Sequence, residues 1–229
     1  MKVGVLCEFS GTVRDAFIRR GHDAVSCDLL PTEAPGPHIV GDCLAQDWSS
    51  YNLIVAHPPC QYLSYAGIAH WHAPGRSQLR DNAMRFFMAI YNLPVERVCV
   101  ENPRGHPYIA FRKPDQVIEP YYFGDKNRKR TCLWIRGLPC LYHTEQDTLV
   151  GVERTHVEPP KPVRLDGEHT TQPGKARYYT DKHEGRSAHS RARFWPGIAA
   201  AMADQWGSLA PAPSQPAKQP EVAGGGGAP

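Results

Sequence analysis

The sequence has no long apolar run, no paired cysteine motif and no large excess of charge. Seven cysteines occur among 229 residues, and no two of them are spaced as Cys-x-x-Cys. Because their number is odd as well, we do not expect a disulfide framework. The chain passes directly from Met1-Lys2 into an apolar segment, without the architecture of a signal peptide. We therefore expect a protein of the reducing cytoplasm.

The longest stretch without Asp, Glu, Lys or Arg runs from Trp48 to Gly75. It carries three histidines, three prolines and many hydroxyl groups, which exclude a membrane-spanning helix. We expect no membrane partner, and a polar, charge-free stretch of this length calls for another explanation.

The charge of the chain is unevenly distributed. The overall composition, 41% hydrophobic and 21% charged, is typical of a globular protein, and the formal net charge is only +3. Residues 1–60 carry 4 basic and 7 acidic side chains, whereas 112–137 carry 7 and 3, and 161–193 carry 8 and 4. The two basic stretches suit a phosphate backbone. The alternative is that they are solvated loops in which basic residues cluster by chance.

Apolar segments of strand length alternate with helical periodicity along the chain. Strands are predicted at 2–7, 23–27, 38–40, 52–56, 97–101 and 131–135, and helices from 12 to Gly21, over 77–91 and over 194–206. The apolar helical faces are Leu79, Ala83, Phe86, Phe87 and Ile90, and Trp195, Ile198, Met202 and Trp206. This alternation predicts an α/β fold with a doubly wound, mostly parallel, Rossmann-like sheet. Ligands of such a sheet bind at the carboxyl ends of its strands.

The charge-free stretch contains HPPCQYLSYAG (57–67), directly after a predicted strand. Cys60 then lies on a loop at the ligand-binding edge, where two prolines restrict the backbone. A thiol becomes a useful nucleophile where its surroundings favour the thiolate. Taken alone, a loop cysteine is more commonly inert.

Two further segments place polar groups beside strands. ENP (101–103) follows a strand, a position at which a carboxyl group such as that of Glu101 can be held partly buried and so donate a proton near neutral pH. In GDKNRKRTCLW (124–134), Arg128 and Arg130 alternate, so that in an extended chain both side chains face one pocket. Each feature alone is more commonly structural than functional.

Together and in this order, the segments resemble the DNA cytosine-5 methyltransferase family. PPCQYLSYAG is similar to its nucleophile motif, ENP to its Glu-Asn-Val motif, and KNRKR to its Gln-x-Arg-x-Arg motif with Lys126 in place of glutamine. FSG (9–11) resembles the start of the cosubstrate motif, Asp28 occupies its acidic position, and Gly41-Asp42 resembles the motif beside the adenine. The resemblance spans residues 3–136.

The resemblance implies a sheet of the S-adenosylmethionine-dependent methyltransferase type and a role for each matched residue. Cys60 adds as a thiolate to carbon 6 of cytosine, and Glu101 neutralises charge at ring nitrogen 3. Arg128 and Arg130 hold the base, and Asn102 fixes the loop backbone. The cosubstrate is S-adenosylmethionine, and its implied binding residues are Phe9, Ser10, Gly11, Asp28, Asp42 and Pro58. The partner is DNA, with the cytosine flipped out of a duplex.

The sequence departs from the family in its cosubstrate motifs. Cys7 stands where the family usually has aspartate, and Thr12-Val13 follow Gly11 in place of further glycines. The later Asn-containing motif is not identifiable. Residues 186–199 occupy the corresponding region, and His189 or Ser190 are the candidates to replace it.

The resemblance leads to a prediction of domain organisation. Residues 1–137 form the catalytic and cosubstrate-binding core, and 138–193 an irregular basic insertion that acts as a reduced target recognition region. Residues 194–207 form a helix that packs back on the core, and 208–229 a disordered tail rich in Pro, Ala and Gly. The insertion carries basic residues with two tyrosines, a mixture suited to phosphates and stacked bases: Lys175, Arg177, Tyr178, Tyr179, Lys182, Arg186, Arg191 and Arg193. A poorly ordered surface loop is the alternative.

These expectations describe a compact, monomeric DNA cytosine-5 methyltransferase of a phage or mobile element. We expect it to recognise DNA weakly or through a short sequence, or to obtain its sequence specificity from an unidentified partner. His70 and His72 lack a matching second pair, and no metal site is expected. Two alternatives remain open. One keeps the thiolate chemistry on RNA, on a free cytosine nucleotide or with a modified donor, and the other is a nucleic-acid-binding relic without catalysis.

Overall fold

The computed structural model of the chain describes residues 1–65, 71–146, 153–159 and 193–210, together with the backbone of 163–164 and 178–179. The strands are β1 (Lys2–Leu6), β2 (Asp23–Asp28), β3 (His38–Val40), β4 (Leu53–Ala56), β5 (Arg97–Pro103), β6 (Gln116–Ile118), β7 (Thr131–Arg136), β8 (Val163–Arg164) and β9 (Tyr178–Tyr179). The helices are α1 (Thr12–Arg19), α2 (Arg76–Tyr91), α3 (Pro107–Ala110) and α4 (Pro196–Gly207). Short 3-10 turns lie at Cys43–Ala45 and Pro120–Phe123.

Seven strands form one mixed sheet in the order β3-β2-β1-β4-β5-β7-β6. The first five run parallel, and β7 is antiparallel to both of its neighbours. The predicted α/β fold with a mostly parallel, Rossmann-like sheet is therefore confirmed. The sequence did not predict β6, because its two apolar residues, Val117 and Ile118, stand between polar and charged ones and show no period. The strands β8 and β9 pair with each other in a separate antiparallel ribbon.

Helices cover both faces of the sheet. One buried cluster joins β1, β4, β5 and β7 to α1 and α4, and the other joins the same sheet to α2. In β4 all four residues are fully buried, as expected of a central parallel strand covered on both faces. The predicted apolar side chains Ile198, Met202 and Trp206 of α4 are buried against the first cluster.

The second half of α2 carries its contact with the sheet. Phe87 and Ile90 are buried, as predicted, whereas Leu79, in the first turns, is 42% exposed. The sequence prediction of one continuous apolar face is thus correct only for the part of α2 that lies over the strands.

One strand boundary matters for function. β5 extends two residues beyond the predicted strand 97–101. Its last three residues, 101–103, pair with Leu133, Cys132 and Thr131 of β7. Asp28 is likewise the last residue of β2 rather than the first residue after it.

No helix within the described ranges has both the length and the apolar character needed to cross a bilayer.

Candidate active site

The carboxyl ends of the five parallel strands meet at one edge of the sheet. Because β7 runs in the opposite direction, its first residue, Thr131, lies at the same edge, where it pairs with Pro103. The segment 127–130 therefore arrives at this edge as well. The sheet thus gathers the loops that carry the Cys, Glu-Asn and Arg motifs, which are far apart in sequence.

Cys60 is exposed on the loop that follows β4. The loop backbone is held on both sides of the thiol. Before it, Asn102 Nδ2 donates a hydrogen bond of 2.8 Å to the carbonyl of Pro58. After it, the carbonyl of Cys60 accepts from the backbone N–H groups of Leu63 and Ser64 at 3.0 and 2.8 Å. The sulfur therefore projects from a backbone with little freedom.

A close backbone approach attaches this loop to the segment after β5. The N–H of His106 donates to the carbonyl of Leu63 at 2.6 Å, and Ser64 forms an antiparallel bridge with Gly105. A Cβ on Gly105 would lie only 1.9 Å from the oxygen of Leu63. Glycine is therefore required at 105 for the two segments to meet.

Glu101 is buried at the end of β5, with only 8% of its surface exposed. His57, the first residue after β4, lies with Nδ1 3.3 Å from Glu101 Oε2. The ring of Phe194, from the segment before α4, packs against the imidazole with the ring centroids 4.4 Å apart. The sequence prediction named Glu101 but not His57, although its place directly after a strand was a usable signal.

Glu8 is a second buried carboxyl group at this edge. Its Oε1 accepts from the N–H of Val13 at 2.6 Å and its Oε2 from the N–H of Arg14 at 3.3 Å, so it caps the first turn of α1. Burial raises the pKa of Glu8, and the neighbouring His57 and the two N–H donors oppose that shift. The sequence analysis missed Glu8, because a carboxylate after a strand carries no motif.

A cleft of about 290 Å³ opens beside Pro59 between the ends of β1 to β4. Its lining combines two carboxylates with thiols and apolar groups: Cys7, Cys27, Asp28, Leu29, Gly41, Asp42, Cys43, Pro59 and Phe86. Contact with Cys43, followed by burial, raises the pKa of Cys7, and burial raises the pKa of Cys27 to about 11. The same contact lowers the pKa of Cys43. The carboxylates Asp28 and Asp42 give the cleft negative charge.

Only some of the predicted cosubstrate residues line this cleft. Asp28 and Asp42 do, but it is Pro59 rather than the predicted Pro58 that faces the cleft. Phe9, Ser10 and Gly11 instead form the turn into α1. There Gly11 has a left-handed backbone (φ 75°), and Ser10 Oγ contacts Glu8 at 3.3 Å.

The two predicted arginines lie against different side chains. Arg130 Nε lies 3.9 Å from Glu119 Oε1, and Arg128 stacks on Tyr121 with its Cζ 5.2 Å from the ring centroid. Burial raises the pKa of Glu119, and both arginines oppose that shift. The Arg130 side chain is 63% exposed and so remains accessible from solvent.

Arginine and aromatic side chains cover the surface next to the Cys60 loop. Three guanidinium groups lie over three rings at 4.5 to 5.0 Å, in the pairs Arg76–Tyr62, Arg80–Trp71 and Arg104–Tyr108. We call these six residues the guanidinium–aromatic surface. Among the described residues none of its arginines forms an ion pair. The sequence analysis did not single it out, since its members come from three separate segments.

Several predicted residues lie outside the described residues. They are His70, Lys175, Arg177, Lys182, Arg186, His189, Ser190 and Arg191, together with most of the tail 208–229. His72 is exposed. Arg193, predicted to contact nucleic acid, forms a bidentate ion pair with Glu33. Its Nε lies 2.8 Å from Oε2 and its Nη2 lies 2.9 Å from Oε1. This contact ties the segment before α4 to the loop after β2.

Within the described ranges no cluster of three or more His, Cys, Asp or Glu side chains has the arrangement of a metal site. Comparisons with models of known protein families and with curated protein sequences found no match for this chain.

Proposed function

We propose that this protein transfers a methyl group from S-adenosylmethionine to carbon 5 of cytosine in DNA, through a covalent adduct with Cys60. One observation carries the proposal. The exposed Cys60 lies on a loop whose backbone is bonded by Asn102, and the adjacent strand residue is the buried acid Glu101. The end of β5 therefore both fixes the loop of the nucleophile and carries the acid. Addition to a pyrimidine ring needs these two groups.

The mechanism follows from the chemistry of the ring. Carbon 5 of cytosine is a weak nucleophile, so the Cys60 thiolate first adds to carbon 6. Glu101 donates or shares a proton at nitrogen 3 and thereby neutralises the charge that develops there. General acid assistance of this kind contributes about 10²–10⁴ in rate. After methyl transfer, a base removes the proton from carbon 5 and the Cys60 sulfur leaves carbon 6.

The cleft fits the nucleoside part of the cosubstrate. Its size, about 290 Å³, is close to the lower end of small-molecule sites, which span roughly 300–1,000 Å³. Carboxylates such as Asp28 accept hydrogen bonds from ribose hydroxyls, and Leu29 and Phe86 offer apolar contact to a flat base. When bound, the cosubstrate supplies an electrophilic methyl group.

The guanidinium–aromatic surface supports a nucleic-acid acceptor. Its arginines have no acidic partner within the described residues, and it begins two residues after Cys60. Guanidinium groups bind phosphates, and aromatic rings stack on bases. The Arg128 and Arg130 side chains add positive charge on the β7 side of the same edge.

Trapping on DNA that contains 5-fluorocytosine tests the proposal, because fluorine at carbon 5 blocks the final elimination. With S-adenosylmethionine present, we expect a covalent protein–DNA adduct that is lost in Cys60→Ala. Cys140→Ala is the matched control, because Cys140 is also exposed but lies outside the candidate site. No adduct with the unmodified protein would contradict the proposal.

Parallel assays with a labelled methyl donor decide the acceptor. Label incorporated into DNA supports the proposal. Label found only in RNA or in dCTP would overturn the DNA assignment while leaving the thiolate chemistry intact.

A further inference from the structure

A buried imidazole, three residues before Cys60 in the chain, lies against the carboxyl group of Glu101. His57 Nδ1 is 3.3 Å from Glu101 Oε2, and the two side chains are only 9% and 10% exposed. Glu8 is close enough to His57 for the two groups to affect each other's ionisation. The ring of Phe194 excludes water from one side of the imidazole. The imidazole is therefore placed to exchange a proton with the Glu101 carboxyl group.

The second ring nitrogen of His57 also favours a functional role over a structural one. His57 Nε2 is buried and has no hydrogen-bond partner within the described part of the chain. A buried nitrogen without a hydrogen-bond partner lowers the free energy of unfolding. If position 57 were purely structural, an apolar side chain would avoid that cost. Glu101 from β5 and the uncharged Phe194 lie against the ring, and Glu8 from the β1–α1 turn interacts with it electrostatically. The imidazole thus contacts the acid with which it would exchange a proton.

We propose that His57 is the positioning residue for Glu101, and that it supplies and takes back the proton that Glu101 exchanges with cytosine. This inference rests on the proposed function. His57 binds Oε2 and so leaves Oε1 available to the base. As the bond between Cys60 Sγ and carbon 6 forms, a proton passes from Glu101 to nitrogen 3, and the His57 proton passes from Nδ1 to Glu101. When Cys60 leaves, both protons return, and none is consumed.

The test compares adduct formation by His57→Leu and His57→Asn with that of the unmodified protein. An asparagine amide donates near the position of Nδ1 but does not titrate. We expect His57→Leu to slow adduct formation about 10²-fold, at the lower end of what general acid catalysis contributes, with little change in DNA affinity. His57→Asn restores part of the rate. Because asparagine does not titrate, its rate should lack the pH dependence that proton transfer from His57 gives to the unmodified protein.

The outcomes separate the inference from the proposed function. If the unmodified protein forms no adduct, the proposed function fails and the inference fails with it. If the unmodified protein forms the adduct and both His57 variants match its rate and pH profile, the inference alone is wrong. His22→Asn is the control, because His22 lies at the opposite end of the sheet, beside Met1.

NMR of the His57 ring tests the same contact without turnover and without relying on a His57 variant that folds poorly. In Glu101→Gln the ring loses the carboxyl group that contacts Nδ1, and we expect the Nδ1 resonance to shift relative to that of the unmodified protein. An unchanged Nδ1 resonance in Glu101→Gln would overturn the proposal.

Discussion

Arg14 shows how one side chain can organise the loop beside a binding cleft. Its guanidinium is completely buried and donates to Ser26 Oγ and Thr32 Oγ1 at 3.2 Å each, and to the carbonyl of Ala34 at 3.0 Å. It also pairs with Asp15 at 2.7 Å. Five donor groups in a fixed fork can satisfy this many acceptors, which a lysine cannot. The loop that follows Asp28 is thus built around a charge from α1.

Arg14→Met should therefore destabilise the protein. Loss of the guanidinium leaves Ser26, Thr32 and the carbonyl of Ala34 without this donor and Asp15 without its partner. We expect the free energy of unfolding to fall by about 3 kcal/mol, in the range seen when a buried charged network is broken. Denaturant unfolding measures it. We also expect weaker S-adenosylmethionine binding, because the Arg14-bound loop adjoins Asp28.

Arg20→Met is the matched control. Arg20 also pairs with an acid, Asp204, but its side chain is 58% exposed. An exposed pair contributes only about 0–1 kcal/mol. Equal losses of stability in the two variants would show that the burial of Arg14 does not matter.

Among the secondary-structure elements, the antiparallel strand β7 has the largest effect on the geometry of the candidate site. Its pairing extends β5 to Pro103, so Glu101 and Asn102 are held in a sheet rather than on a loop. Neighbouring residues of a strand point to opposite faces. Glu101 therefore reaches His57 on the α1 side, while Asn102 bonds the Cys60 loop at Pro58.

The contact between the Cys60 loop and the segment after β5 predicts the effect of Gly105→Ala. A Cβ at 1.9 Å from the Leu63 oxygen forces the two backbones apart. We expect a loss of about 2 kcal/mol in the free energy of unfolding, as for other overpacked sites, and a larger loss of adduct formation than of DNA binding.

Gly41→Ala is a suitable reference for stability, because its Cβ would meet nothing closer than 3.8 Å. The prediction fails if Gly105→Ala unfolds at the same denaturant concentration as Gly41→Ala and forms the adduct at the unmodified rate.

The whole molecule separates two kinds of surface along one sheet edge. The cleft beside β1 to β4 carries Asp28 and Asp42, whereas arginines lie beyond the Cys60 loop and ahead of β7. This arrangement explains the small net charge of +3, because the acidic and basic regions largely cancel. A polyanion approaching the edge is attracted to the basic part.

This separation predicts that Arg80→Gln weakens DNA binding about equally for all sequences. Arg80 lies over Trp71 at 5.0 Å and forms no ion pair within the described residues. If it contacts a phosphate, its loss should reduce the salt dependence of binding, the slope of log K against log salt, by about 1. Titration of labelled DNA at several salt concentrations measures this.

Arg20→Gln serves as the reference, because Arg20 follows the carboxyl end of α1, at the opposite edge of the sheet. An unchanged slope in Arg80→Gln, or the same change in both variants, would show that the guanidinium–aromatic surface does not bind the DNA backbone.

Local pattern was enough to predict the alternating strands and helices, the mostly parallel sheet and the position of Cys60 after a strand. These features depend on the periodicity of apolar residues within short windows, which any sequence displays directly. The buried face of α4, with Ile198, Met202 and Trp206, follows from the same periodicity.

Contacts between distant segments could not be predicted in this way. Residues 57 and 101 are far apart in the chain, and only the pairing of β4 with β5 brings their side chains together. Glu8, the cleft lined by three cysteines and the guanidinium–aromatic surface likewise depend on which strand ends are neighbours. Periodicity within a segment predicts which residues are buried. The order of the strands in the sheet decides which side chains come into contact at its edge, and the candidate site is built from such contacts.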